Sequence, residues 1–280
     1  MEVIYNILEH ILPFSWIQYD FMKNALLAVL IITPLFGMIG TVIVNNNMAF
    51  FSDALGHSAL TGIAIGVILG LVSTDISMML YAVAFALFLN YIKGKKTAST
   101  DTVISVFSSF STAIGLVILS MGGNFSKYSS LLVGDILSIT FKEILMLLGV
   151  FIFTVVFWVF FYNKMLVISI NETLARSRNI RVKFVNNLFS VVIALIVMMS
   201  IRWVGVLIIN ALLILPAAAA RNLATNMREY TLFSCIISIT CGLCGLVLSY
   251  HMNTATGPSI VIVSAVVFFM TLIAKPTVKG

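Results

Sequence analysis

"ALLAVLIITPLFGMIGTVIV", residues 25–44, contains no charged side chain over 20 consecutive positions. At about 1.5 Å of helical rise per residue, such a run covers the ~30 Å hydrocarbon core of a bilayer. The rest of the chain has the same character. Of its 280 residues 61% are hydrophobic and 9% charged, whereas a soluble domain carries about 25% charged residues. A chain of this make-up would precipitate from water. The fold class expected is an all-α, polytopic membrane protein with a single transmembrane domain over residues 1–280.

Scanning outward for apolar runs of about 17–25 residues gives nine spans, within a range of eight to ten. They cover residues 25–44, 47–70, 76–92, 101–120, 143–163, 185–201, 204–222, 230–250 and 258–274. A further apolar stretch, 129–141, is too short to span and reads as re-entrant or interfacial. Residues 1–20 carry Glu2, Glu9 and Asp20 but no Lys or Arg, the wrong charge for a cleaved signal peptide. Their Ile, Leu, Phe and Trp side chains suit an amphipathic helix lying at the interface.

Loop charges give the orientation. With the N-terminus outside, the cytoplasmic segments hold Lys93, Lys95, Lys96, Lys164, Arg176, Arg178, Arg181, Lys183, Arg221, Arg228, Lys275 and Lys279. Only Lys23, Lys127, Lys142 and Arg202 then stay outside, so the expected arrangement is N-terminus out and C-terminus cytoplasmic. The same loop bias accounts for the net charge of +6 without a nucleic-acid partner. Cys235, Cys241 and Cys244 share one apolar segment, which indicates no disulfide framework. "CGLC" reads either as two metal ligands on one helical face or as small hydrophobes.

Residues 164–183 form the longest polar connection after the N-terminal segment. Within it Asn171 is placed to cap a short helix, with Glu172 in the first turn where the helix dipole favours negative charge. Leu174 and Ala175 give that helix a small apolar face. The segment is either a docking helix for a partner or an ordinary basic loop. Pro34, Gly37 and Gly40, then Gly56, Gly62, Gly66 and Gly70, then Gly205 and Pro216, interrupt three of the spans. They mark close helix approach or breaks along a path.

"FFSDALGHSALTG", residues 50–62, sets Asp53 and His57 inside the second span. Counted from the turn at Asn45–Asn46, Asp53 lies roughly 10–12 Å into the membrane and His57 about 6 Å further along the same face. A carboxylate at mid-membrane costs about 2.5–3.5 kcal/mol, so it is normally tied to a partner or a permeating species. A carboxylate oxygen and an imidazole nitrogen at i and i+4 can both ligate Mn²⁺, Zn²⁺ or Fe²⁺. A proton relay and a structural Asp–His hydrogen bond are the other two readings. Ser52 and Asn210 offer polar groups that would line a path, as does the run at 251–259, while His251 and His10 read as surface residues. The chain has no G-x-x-x-x-G-K-[ST] nucleotide loop and no paired catalytic side chains, so any ATP hydrolysis belongs to another subunit.

"FSDALGHSALTGIAIG" (51–66) resembles the signature of the membrane permeases of ATP-binding-cassette importers for manganese, zinc and iron. "NETLARSRNI" (171–180) is similar to that family's coupling segment, and "VGVLIINALLILPAAAARNLA" (204–224) and "GPSIVIV" (257–263) to its later spans. The matches run in order over about residues 21–275. The resemblance implies a homodimeric, multi-pass permease, not itself an enzyme, in a prokaryotic cell (inner) membrane. Its partners would be cytoplasmic ATP-binding subunits, an extracellular or periplasmic metal-binding protein and membrane lipid. It implies no permanently bound cofactor; a divalent metal ion is the transported substrate. Asp53 and His57 match the pathway carboxylate and imidazole, and Glu172 and Ala175 the coupling segment. Thr61 departs from the pattern, standing where these permeases usually carry proline. Two rivals differ in cargo or energy source: a permease for a siderophore, haem or cobalamin chelate, and a proton-coupled secondary metal carrier.

Overall fold

The computed structural model describes residues 15–71, 74–93, 99–121 and 125–278. Ten helices carry the chain: α1 (Asp20–Asn45), α2 (Ala49–Ile68), α3 (Thr74–Lys93), α4 (Thr100–Met121), α5 (Phe141–Ile170), α6 (Glu172–Ser177), α7 (Val182–Val204), α8 (Val206–Leu223), α9 (Met227–Met252) and α10 (Thr256–Val278). Among the described residues, eight helices are long and apolar enough to cross a membrane, and α8 contributes a shorter apolar helix, Ile208–Leu223. Each of the nine expected spans is therefore a helix.

The ends are set by local chemistry. Asn226 caps α9, accepting from the Arg228 and Glu229 amides at 3.1 and 2.9 Å, while Glu229 accepts from the Thr225 amide and hydroxyl. Together these satisfy donors that the first helical turn leaves orphaned. Gly205 separates α7 from α8 at φ 91° and ψ 148°, a conformation open essentially to glycine alone. Pro34 and Pro216, by contrast, sit inside α1 and α8 without ending them.

The fifth span does not stop at 163; α5 runs on to Ile170, because Asn163 and Lys164 are single polar residues followed by the apolar "MLVISI". Lys164 lies inside that helix, its ammonium 4.9 Å from the centre of the Phe161 ring. The connection 164–183 is thereby reduced to α6 and a few flanking residues. The stretch 129–141 holds two single turns, Ser130–Val133 and Ile136–Ser138. Of the N-terminal segment, Ser15–Gln18 form one 3₁₀ turn. Residues 1–14, with Glu2, Glu9 and His10, lie outside the described residues, as do Lys95, Lys96 and Lys279.

The chain divides into two compact units. The first comprises Met1–Thr41, Gly134–Ile152 and Ala211–Gly280. One seam lies between α1 and α9. Gly37 lets the two backbones meet, for a Cβ there would lie 2.9 Å from the Cys235 Cα. Ser238 Oγ donates to the Thr33 carbonyl at 2.7 Å and Ser234 Oγ to the Gly37 carbonyl at 2.8 Å. In an apolar solvent these hydroxyls have no water to fall back on, and a carbonyl on the facing helix satisfies each of them.

The second unit comprises Val42–Val133 and Phe153–Asn210. Here α2 is packed against both α3 and α4 with almost no side chain between. A Cβ on Gly115 would stand 2.6 Å from the Thr61 nitrogen, and one on Gly62 2.7 Å from the Met78 Cα. Ser77 Oγ donates to the Gly62 carbonyl at 2.7 Å, and Asn90 on α3 donates to Ser190 on α7 at 2.8 Å.

Gly115→Ala should accordingly push α4 off α2 and cost about 1–3 kcal/mol, since the clash is with backbone and no rotamer relieves it. Gly149→Ala in α5, where a Cβ meets nothing within 4 Å, should leave stability within about 1 kcal/mol of the parent. Thermal unfolding of the two purified variants in one detergent makes the comparison.

Candidate functional site

The sequence of α2 changes character along its length. From Leu60 to Ala64 every residue is buried, whereas the first turns leave one strip accessible: Phe50, Asp53 and His57. Those positions recur at three and four residues, so they share one helical face. Ser52, Ala54, Leu55, Gly56 and Ser58 fill the remaining circumference and are all buried. The helix starts at Ala49, so Asp53 is four residues, or about 6 Å of rise, from its beginning. That is shallower than the count from Asn45–Asn46, because Asn46 and Asn47 are spent in a turn with Asn47 left-handed at φ 53°.

The two ligand-type side chains stand side by side without bonding. His57 Nε2 is 3.8 Å from Asp53 Oδ1, beyond hydrogen-bond range. Their side chains keep 33% and 43% of their surface, respectively, and among the described residues neither has another polar partner. A structural Asp–His bond would be short and enclosed, and this pair is neither. What the geometry offers is one carboxylate oxygen donor and one imidazole nitrogen donor aimed from a rigid helix at the same space. No cluster of three or more His, Cys, Asp or Glu that could hold a metal ion occurs among the described residues, so the pair stands as two donors without a third beside them.

One turn past His57, Thr61 answers the place usually held by proline. Helix α2 runs through it unbroken. Its hydroxyl donates to the Ser111 carbonyl on α4, Ser111 Oγ donates back to Thr61 Oγ1 at 3.1 Å, and Tyr81 OH lies 2.9 Å from Ser111 Oγ. The hydroxyl chain ends on a backbone carbonyl, so it is an anchor and carries no proton onward. Reading the sequence missed Ser111 and Tyr81. The available signal was the polar cluster "SSFST" (108–112) inside an apolar run.

Ser52 and Asn210 are brought together: Ser52 Oγ is 2.7 Å from Asn210 Oδ1, tying the first turn of α2 to the first turns of α8. The run 251–259 instead forms the α9–α10 corner, with Thr254 paired to Ser259 at 3.0 Å and Thr256 to Ser249 at 3.1 Å. His251 is exposed at the end of α9. Cys241 is buried and Cys244 exposed, so the two thiols sit in different surroundings.

The 171–177 segment folds as its sequence suggests. Asn171 Oδ1 accepts from the Thr173 and Leu174 amides at 2.8 and 3.3 Å, and Glu172 pairs with Arg176 at 3.4 Å. Ala175 is fully buried, whereas Leu174 is exposed, as are Ile170 and Phe184 on either side. Asn179, left-handed at φ 57°, then returns the chain into α7.

The similarities to known proteins extend over almost the whole chain. The manganese import system permease protein ScaB of Streptococcus gordonii is 29% identical over 260 residues, covering 92% of this chain and 93% of its own. The high-affinity zinc uptake system membrane protein ZnuB of Haemophilus influenzae is 29% identical over 260 residues, covering 92% and 99%. Among solved structures, PsaBC from Streptococcus pneumoniae in complex with Fab superposes with a TM-score of 0.81 at 27% identity, over 100% of this chain and 98% of that one. A metal-chelate type ABC transporter in an inward-facing conformation, 12% identical with a TM-score of 0.71, shares the fold. The ABC 3 transport family matches residues 18–275. With that match running through every apolar helix among the described residues, the chain belongs to the ABC 3 transport family.

Proposed function

We propose that this chain is the membrane-spanning subunit of an ATP-driven importer that moves a divalent transition-metal ion into the cytoplasm, with Asp53 and His57 as its pathway ligands. The observation that carries this reading is the pair itself. A carboxylate and an imidazole, 3.8 Å apart and without other polar partners among the described residues, lie on the accessible strip of the first turns of a membrane helix. Uncompensated, such a carboxylate is costly in hydrocarbon, and a cation passing it removes the cost. Relatives named for manganese import and zinc uptake support the cargo class.

Two donors leave most of a metal's coordination shell to be filled. The accessible strip suits a second copy of the chain, which would bring an equivalent Asp and His and close the shell from the opposite side. Such a site binds weakly enough to release its ion because it exists only while the two copies are apposed. Metal would arrive from an extracellular or periplasmic binding protein, with the N-terminus on that side. The exposed Leu174, on a helix whose buried Ala175 roots it to the bundle, gives the cytoplasmic ATP-binding subunits an apolar grip. Asn171 and Glu172 hold that helix in shape through the cap and the Arg176 pair. A proton-coupled carrier would need neither that grip nor an ATPase, and a chelate permease would need a lining free of charge.

Asp53→Ala and His57→Ala should each lower ATP-dependent Mn²⁺ and Zn²⁺ uptake in vesicles at least about tenfold, the scale expected when a metal loses a direct ligand. Uptake at the parent rate in either variant would remove the pair from the pathway. Leu174→Asp should separate binding from coupling: the ATP-binding subunit should no longer co-purify with it, whereas it should still co-purify with His57→Ala. Retention of the ATPase by Leu174→Asp would move the docking surface elsewhere.

A further inference from the structure

A polar contact joins the last turn of α1 to the last turn of α5. Asn45 Nδ2 donates to Ser169 Oγ at 2.7 Å, and Ser169 Oγ donates to the Leu166 carbonyl at 2.8 Å. A hydroxyl has a single proton, and here the carbonyl of its own helix takes it. The group that Asn45 turns toward Ser169 is therefore a donor, which fixes the amide with its NH₂ on the serine. Both residues belong to the second compact unit, as do α2 and α6.

Each end of that bond leads by a short, hydrogen-bonded path to a segment with a proposed task. From Asn45 the chain closes in a Schellman turn. Met48 N donates to the Ile43 carbonyl at 2.8 Å and Asn47 N to the Val44 carbonyl at 3.3 Å, with Asn47 left-handed at φ 53°. Ile43 and Met48 are both buried. The Met48 carbonyl then accepts from the Phe51 and Ser52 amides, each at 3.1 Å, so the residue that ends the turn also begins α2. Asp53 is the next residue. From Ser169 the chain reaches Asn171, whose amide donates to the Val167 carbonyl at 3.1 Å and whose side chain caps α6.

We infer that the Asn45–Ser169 bond is the link through which α6 positions Asp53 and His57. A shift of α6 imposed by an ATP-binding subunit reaches Ser169, draws Asn45 with it and, through the closed turn, reseats the first turns of α2. Asn45 and Ser169 are positioning residues that act through α2, not metal ligands. Apolar contacts between two helix ends resist separation but hardly resist sliding, because the hydrophobic effect has no direction. A hydrogen bond demands alignment, so it also passes on a sideways shift. The inference rests on two readings given above, α6 as the docking helix and Asp53 with His57 as the pathway ligands.

The test uses the assembled transporter in vesicles, with Mn²⁺ uptake and ATP hydrolysis measured on the same sample. Ser169→Ala removes the acceptor, and Asn45→Leu removes the donor at nearly constant volume. Each should lower the number of Mn²⁺ ions imported per ATP hydrolysed at least about threefold, the scale of one hydrogen bond between neutral groups. The ATP-binding subunit should still co-purify at the parent level. The double variant should be no worse than either single one, since the two side chains act as one unit. Ser169→Thr, which keeps the hydroxyl, should restore the parent ratio. A contact that only holds the fold together would lower uptake and hydrolysis in step, or give losses that add in the double variant. Either result would overturn the inference, as would the parent ratio in both single variants. Where Asn45→Leu impairs assembly, Ser169→Ala decides alone, because it deletes one oxygen atom. Retention of the ATPase by Leu174→Asp, or full uptake by His57→Ala, would instead remove the readings underneath. Losses in those two variants, with the parent ratio in Ser169→Ala and Asn45→Leu, would remove the Asn45–Ser169 link alone.

Discussion

The arrangement around α2 depends on backbone meeting backbone. Lipid tails offer no hydrophobic force to drive helices together, so contact area and inter-helix hydrogen bonds must hold them. Gly62 and Gly66 on α2 and Gly115 on α4 remove the side chains that would keep those axes apart. The bonds of Ser77, Thr61 and Ser111 to carbonyls and hydroxyls then lock the approach. One half of α2 is thereby immobilised on its neighbours. The other half holds Asp53 and His57 at a set height and angle, and side chains on such a helix are more sharply positioned than side chains on a loop.

Much of this was legible in the residues. Long uncharged runs announce membrane helices because the bilayer leaves a chain few alternatives. Asp53 and His57 stood out because charge is rare in this chain, and Asn171 because a side-chain cap followed by an acidic first turn is a local signal with a local cause. Helix ends were less legible. Whether Asn163 and Lys164 stop a helix depends on what their flanks pack against, and they do not stop α5. Partner choice among hydroxyls was not legible at all. Nothing near Ser111 in the sequence says that it meets Thr61 and Tyr81, since that pairing is a product of how three helices cross.

Thr61 shows how a departure from a family pattern can keep a structural role by other means. Proline removes a helical hydrogen bond and bends the axis. Threonine leaves the helix whole and spends its hydroxyl on the neighbouring helix instead. Both limit how α2 can move next to His57, one by shape and the other by attachment. A hydroxyl can exchange acceptors, so the attachment is reversible in a way that a proline ring is not.

Helix α5, finally, has 30 residues, about 45 Å of rise against a hydrocarbon core of ~30 Å. An uninterrupted rod of that length either tilts across the apolar slab or projects beyond it. Only Asn171 separates its last residue from α6, and its side chain is committed to the α6 cap. Nothing slack lies between the two helices. A displacement of α6 by a fraction of a helical turn is handed to α5 as torque or tilt, because there is no hinge loop in which it could dissipate.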